Sequence, residues 1–245
     1  MDNAVTGITD EDYLGIQDIV DSVDAFSRMT YKSVYIIDYF KKNFLYVSEN
    51  PLFLCGLSAS EVKKIGYKFY IDNVPPEDVE LLLKINASGF YFSKDIPAEE
   101  KRYYTLSYNF RVINTVSAKA QTINHQLTPL KMMPDGRIWL ALCVASIPTK
   151  QGDDTILMFN NRTHEGWNLD LDSGIWQPVP YISLTEQESQ VIKFSAMGYT
   201  TQEIAQLMYK SFDTVKGYRK SILEKFDTDS ITEAINYAMI YRLID

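Results

Sequence analysis

The sequence predicts an α+β protein: an antiparallel sheet with flanking helices, followed by an all-α domain of four short helices. Three observations predict it. First, runs rich in β-branched and aromatic residues at 33–38, 44–47, 103–112, 122–130 and 137–146 are separated by turns and helical stretches. Second, strand patterning ends before residue 184, and three Ser/Thr-x-x-Glu boxes then each mark a helix start. Third, 245 residues with 46% hydrophobic and 13% aromatic content are enough for two cores. The division that follows is an N-terminal helix over 1–30, a sheet domain over 31–150, an ordered connector over 151–181 and a helical domain over 182–245.

Residues 1–10 read as frayed. Over 11–29, Tyr13, Ile16, Ile19, Val20, Val23 and Phe26 recur at three and four, as one helix face requires. The stripe is broad and too short for an independent coiled coil, so the helix is expected to pack on its own domain rather than to dimerise. Strands 33–38 and 44–47 form a hairpin around Lys41, Lys42 and Asn43. Short helices are predicted at 49–54, 60–65 and 76–87, the last opened by Pro76-Glu77-Asp78. Three strands follow, and Met133-Pro134-Asp135-Gly136 turns the chain between the last two. In the connector, 156–159 reads as a strand, and 165–169 with 173–177 as a hairpin around 170–174. Trp167 and Trp176 argue that it is ordered, ending at Pro178 and Pro180.

Two strands, short helices and three longer strands form the element order of a PAS domain. The phrase YVSENPLFLCGLSASEVKKIG (46–66) resembles that family's second strand and following helices, and PPEDVELLL (75–83) its long connector helix. The resemblance spans 33–147. It implies a module that encloses a small-molecule ligand between sheet and helices, or that dimerises. The residues carry no cofactor code. Cys55 sits in LCGL, unlike the cysteine run of a flavin photosensor. His125, in a strand, and His164 read as ordinary polar residues rather than haem ligands. Tyr35, Phe69, Tyr70, Tyr104, Phe110 and Trp139 are candidates for pocket lining, read mostly as core.

The C-terminal stretch is the more specific. Thr185 with Glu188, Thr200 with Glu203 and Ser230 with Glu233 form the three boxes. Ser211 caps a further helix with Asp213 in its first turn, and Gly198 falls at a helix end that favours left-handed backbone. Helices are therefore expected at about 185–197, 200–208, 211–226 and 230–243. The middle pair, turning through Tyr209 and Lys210, has the form of a helix-turn-helix, whose second helix enters the DNA major groove. On that helix Val215, Tyr218, Ile222 and Phe226 share an apolar stripe, while Lys216 and Lys220 lie one turn apart on another face with Arg219 beside them.

The spacing LT-x-x-E…A-x-G…EIA…S-x-x-TVK-x-x-x-x-x-I-x-x-K resembles the LuxR-type helix-turn-helix of bacterial regulators. It runs from Leu184, Thr185 and Glu188 through Ala196, Gly198, Glu203, Ile204 and Ala205 to Ser211, Thr214, Val215, Lys216, Ile222 and Lys225. The resemblance covers the last quarter of the chain. It implies that Lys216, Gly217 and Lys220 meet base edges. It places Ser211, Thr214 and the helix's first amides at phosphate. Lys210 and Arg219 join the expected DNA-binding residues from the locally basic run of this helix and its lead-in. A structural role is implied for Glu188, and the last helix, with Ile231, Ala234, Ile235, Ala238 and Met239 on one side, matches the helix that pairs two such domains. Two departures bear on base preference: Gly217 has no side chain for apolar contact, and Tyr218 replaces the family's usual histidine. Specificity is then expected to lean on the two lysines and on DNA shape.

Net charge is −8. Residues 183–245 carry −2, with seven Lys and Arg against nine Asp and Glu, and the remainder −6. An acidic body leaves one basic helix as the DNA contact, so non-specific affinity is expected to be modest and weakened by salt. No stretch reads as a membrane span or secretory signal, which points to the cytoplasm, where Cys55 and Cys143 stay free thiols. No phosphate-binding glycine loop, H-E-x-x-H or G-x-S-x-G run is present, so neither an enzyme nor a metal site is expected. The expectation is a bacterial transcription regulator. Its partners are double-stranded DNA, a second copy when DNA-bound, RNA polymerase and a small-molecule ligand of the PAS-like domain. The alternative is a protein-interaction module whose helical domain binds a protein instead of DNA.

Overall fold

A computed structural model describes residues 3–148, 152, 154–179, 183–240 and 243–244. Where residues 1–10 were expected to fray, the described part from Asn3 onward is held. The Asn3 amide donates to the Ile138 carbonyl at 2.8 Å and accepts from the Ile138 N–H at 3.0 Å, Arg137 donates to the Ala4 carbonyl, and Val5 is buried. The expected single helix over 11–29 is two, α1 (Asp10–Leu14) and α2 (Gln17–Ser27). A capping box between Thr9 and Asp12 opens the first. The break falls at Gly15, a weak helix former, and turns Ile16 into the core. As expected, these helices pack on their own domain: Ile16 and Val23 cluster with Val34, Ile36, Trp139 and Leu140 on one sheet face.

Strands β1 (Ser33–Asp38) and β2 (Asn43–Val47) form the hairpin. Then come α3 (Pro51–Leu54), α4 (Ala59–Ile65), α5 (Lys68–Asn73) and α6 (Pro76–Phe92). Helix α5 was not legible in the sequence. Helix α6 runs through Gly89, beyond its expected end at 87, because Phe90 and Phe92 pack against the sheet core. After α7 (Ala98–Lys101) come the long strands β3 (Tyr104–Ile113), β4 (Ala120–Met132) and β5 (Ile138–Ser146). Alternating burial along β3 is what a strand with one covered face requires.

The segment expected as a connector supplies β6 (Leu157–Asn160), β7 (Gly166–Asp170) and β8 (Ile175–Val179). These strands continue the sheet, whose order is β2-β1-β5-β4-β3-β6-β7-β8, with β6 antiparallel to β3 from Tyr104 opposite Asn160. Trp167 and Trp176 pack on Phe92 with ring centres 5.2 and 5.3 Å away, and the Trp176 indole N–H donates to the Ser88 carbonyl. Pro180 lies outside the described residues. The order β2-β1-β5-β4-β3, with helices inserted between β2 and β3, makes the N-terminal domain PAS-like. Of the candidate pocket aromatics, Tyr35, Phe69 and Phe110 are core, and Trp139 lies in the cluster under α2. Tyr70 and Tyr108 line a cavity of about 640 Å³ with Tyr67, Leu82, Phe90 and His125. Cys55 and Cys143 are buried free thiols.

The chain divides into two units, Met1–Asn160 with Trp167–Pro178, and Asn161–Gly166 with Val179–Asp245. The second holds α8 (Glu186–Ala196), α9 (Thr201–Leu207), α10 (Phe212–Phe226) and α11 (Ile231–Ile240), within a residue or two of the expected bounds except at the last end. Tyr241 and Arg242, expected in the last helix, lie outside the described residues. Among the described residues no helix is long and apolar enough to cross a membrane, and no group of three or more His, Cys, Asp or Glu is placed to hold a metal ion.

Candidate nucleic-acid interface

Local chemistry sets each helix start. The Thr185–Glu188 and Thr200–Glu203 boxes are both closed, hydroxyl to amide one way and carboxylate to amide the other. The third start is built differently from expectation. Glu233 accepts from the Thr228 hydroxyl, which in turn accepts from the Ser230 N–H. Gly198, at φ +89°, takes the left-handed conformation after α8. Between α9 and α10, Tyr209 also adopts left-handed backbone, at φ 52°, while the Lys210 N–H donates to the Ala205 carbonyl at 2.9 Å. That closure fixes how α10 leaves α9.

Helix α10 is anchored by one face and free on the other. Val215 and Ile222 are fully buried against Val191, Ile192 and Ile204, Phe226 is buried with them, and Tyr218 packs on the same cluster. Burying each such aliphatic side chain stabilises by roughly 1.5–3 kcal/mol. The opposite face carries Lys216, Gly217 and Lys220, all exposed. Lys220 stands 3.6 Å from Glu224, an exposed pair one turn apart that leaves the ammonium free to exchange partners. At the N-terminus, Ser211 accepts from the Thr214 N–H at 3.1 Å, and the two hydroxyls lie 2.8 Å apart, both exposed. Lys210 is exposed just before this cap. The structure thus brings Lys210, Ser211, Thr214, Lys216, Gly217 and Lys220 onto the accessible part of one helix and its lead-in.

Two basic residues of this stretch are used elsewhere. Arg219 is half-buried and donates to the Ser195 hydroxyl on α8 at 2.9 Å, so it braces the helix pair instead of standing beside the lysines. Lys225 lies along the bundle surface, donating to Glu188 at 2.7 Å and to the Ser183 carbonyl at 2.9 Å. Glu188 is 3% exposed. Burial pushes its carboxyl up, but Lys225, the Thr185 amide and the Ser221 and Thr185 hydroxyls outweigh that and hold it at about 2. Ala234 and Ala238 depart from the expected pairing role: both are fully buried in the bundle's own core and present nothing to a second copy. Ile231 and Ile235 are half-buried on the same cluster, while Met239 is 54% exposed.

Two exposed aromatics lie beside the free face of α10 and were not distinguishable in the sequence. Tyr209 is 95% exposed and Phe212 49%. Their signal, two aromatics flanking a helix cap, is indistinguishable in sequence from core residues. Gly217 sits in the helix interior with open space where a Cβ would stand. Gly217→Ala is therefore expected to stabilise the domain by roughly 1 kcal/mol, read as a raised thermal midpoint.

Residues 182–238 match the family profile described as "Bacterial regulatory proteins, luxR family". The response regulator protein VraR of Staphylococcus aureus is 38% identical over 64 residues, which are 26% of this chain and 31% of that protein. The chain thus spans about a third of the length of the curated relatives it matches. Among solved structures, a phage VqmA–DPO complex is 18% identical, covers 95% of this chain and 90% of its own, and has a TM-score of 0.32. A PAS domain from Colwellia psychrerythraea is 12% identical, covers 56% of this chain and 98% of its own, and scores 0.40. The capped bundle, the tight α9–α10 turn and the profile match coincide over one segment: residues 182–238 are a helix-turn-helix domain of the luxR family of bacterial regulatory proteins.

Proposed function

We propose that this chain is a DNA-binding transcription regulator of the cytoplasm, without a catalytic step, whose α10 lies in the major groove. The observation that carries the reading is the division of α10: a buried apolar face locks it to α8 and α9, and Lys216 and Lys220 project from the free face. Lys216 and Lys220 read base edges, the backbone at Gly217 comes close to them, and Ser211, Thr214 and Lys210 bind phosphate. Arg219 positions the helix through Ser195. Two copies bind together, pairing through the exposed side of α11 around Met239, with half-sites about 34 Å apart or a multiple of it. The PAS-like domain takes a small molecule in its cavity and biases the pairing. The DNA-bound dimer contacts RNA polymerase.

The test is selection of bound fragments from sheared genomic DNA at two salt concentrations. A two-fold symmetric motif is expected, with retention falling steeply at the higher salt. If low salt retains no DNA, with or without a ligand in the cavity, the reading of α10 as a DNA contact fails.

A further inference from the structure

The cavity of the PAS-like domain carries polar atoms that core packing leaves unsatisfied. His125 on β4 is 2% exposed, and neither ring nitrogen has a hydrogen-bond partner among the described residues. The Tyr67 hydroxyl is buried and unpartnered in the same way, and both side chains line the cavity. Unsatisfied buried groups in a native protein call for an explanation, and a ligand supplies one. The histidine is not free to turn elsewhere. Its ring lies on Tyr35 at 5.7 Å with 24° between planes, and against Tyr108 at 4.9 Å.

Burial pushes the His125 pKa down to about 3, so the ring is neutral at pH 7, with one nitrogen donating and the other accepting. The rest of the buried lining is equally uncharged: Tyr70, Tyr108, Leu82 and Leu127 supply rings and aliphatic carbon. The lysine in the lining, Lys42, is solvent-exposed. A charged ligand would lose its hydration there with no buried counter-charge. Tyrosine faces favour a flat partner. Asn3, Ala4 and Val5 also line the space, so the pinned N-terminal segment forms part of its wall.

We infer that the cavity binds an uncharged, flat molecule of one or two rings, which accepts one hydrogen bond and donates another, with His125 and Tyr67 as its polar partners. The volume of about 640 Å³ admits a compound of that size. This inference rests on the reading of the domain as one that takes a small molecule.

The full chain is titrated with three probes of one ring each: nicotinamide, neutral with donor and acceptor; nicotinate, its charged counterpart; and toluene, without polar atoms. Binding is read by ligand-detected NMR and by the shift in thermal midpoint. Nicotinamide is expected to bind at least roughly tenfold more tightly than either other probe. His125→Phe keeps the ring, removes both nitrogens and weakens nicotinamide roughly five- to tenfold. Tyr67→Phe gives a similar loss and carries the test if the first variant does not fold. Nicotinate or toluene binding as tightly as nicotinamide, or full nicotinamide affinity in the folded variants, overturns the ligand class but leaves a domain that takes small molecules. Failure of all three probes to bind overturns both.

Discussion

The Lys216→Ala/Lys220→Ala protein is expected to bind the selected DNA site roughly 100-fold more weakly than the parent at the same salt, each lysine contributing about tenfold. Both side chains are exposed, and the apolar face of α10 does not involve them, so the variant should fold and melt like the parent. The loss is therefore a loss of contact rather than of structure. If both lysines also displace counterions at phosphate, the slope of log affinity against log salt falls by about two units. Fluorescence anisotropy on a labelled site at three or four salt concentrations measures both quantities. Unchanged affinity and slope would exclude this face of α10 as the DNA contact. Arg219→Ala makes the contrast. Its guanidinium braces Ser195, so its removal is expected to lower the melting temperature of the helical domain along with affinity.

Glu188→Ala is expected to destabilise the helical domain by about 1.5–3 kcal/mol, the scale of hydrogen bonds to a charged group, since Lys225 keeps access to water. The carboxylate accepts from the Thr185 amide at 2.7 Å, the Thr185 hydroxyl at 3.0 Å, the Ser221 hydroxyl at 2.7 Å and Lys225 at 2.7 Å. Without it Lys225, its side chain a third exposed, keeps the Ser183 carbonyl and water, and α8 loses half its cap. Small domains are held by only about 5–15 kcal/mol, so part of the folded margin goes. Urea titration monitored by circular dichroism measures the loss. Glu188→Leu combined with Lys225→Met should restore most of it, because an apolar pair strands no charge.

The same carboxylate predicts an acid limb. Its folded-state pKa lies near 2, below its ordinary 4.5, so the unfolded state binds the proton more readily. The associated stability is fully present above about pH 4.5 and is lost as pH falls through that value toward 2. The amount at stake is roughly 3 kcal/mol. Stability measured across that window should fall in the parent and fall less in Glu188→Gln, which has no proton to take up.

The helical domain was legible in the sequence because its punctuation is local. A threonine and a glutamate three residues apart close a capping box whatever lies elsewhere, and Gly198 ends α8 by the same short-range logic. The strand runs and the turn at 133–136 were legible for a like reason, since alternation and turn chemistry are properties of neighbours. What the sequence left open was which side chains meet across the fold. Lys225 and Glu188 are 37 positions apart, and Trp176 and Ser88 are 88 apart. Nothing local distinguishes Lys225, paired with Glu188, from Lys216 on the accessible face, because both are lysines on one amphipathic helix. Tertiary packing alone decided that Arg219 braces α8, that Ala234 and Ala238 belong to their own core, and that β6–β8 continue the sheet. It also left His125 buried without a partner beside a cavity, because burial depends on every element packed around a residue, and a strand pattern records only one of them.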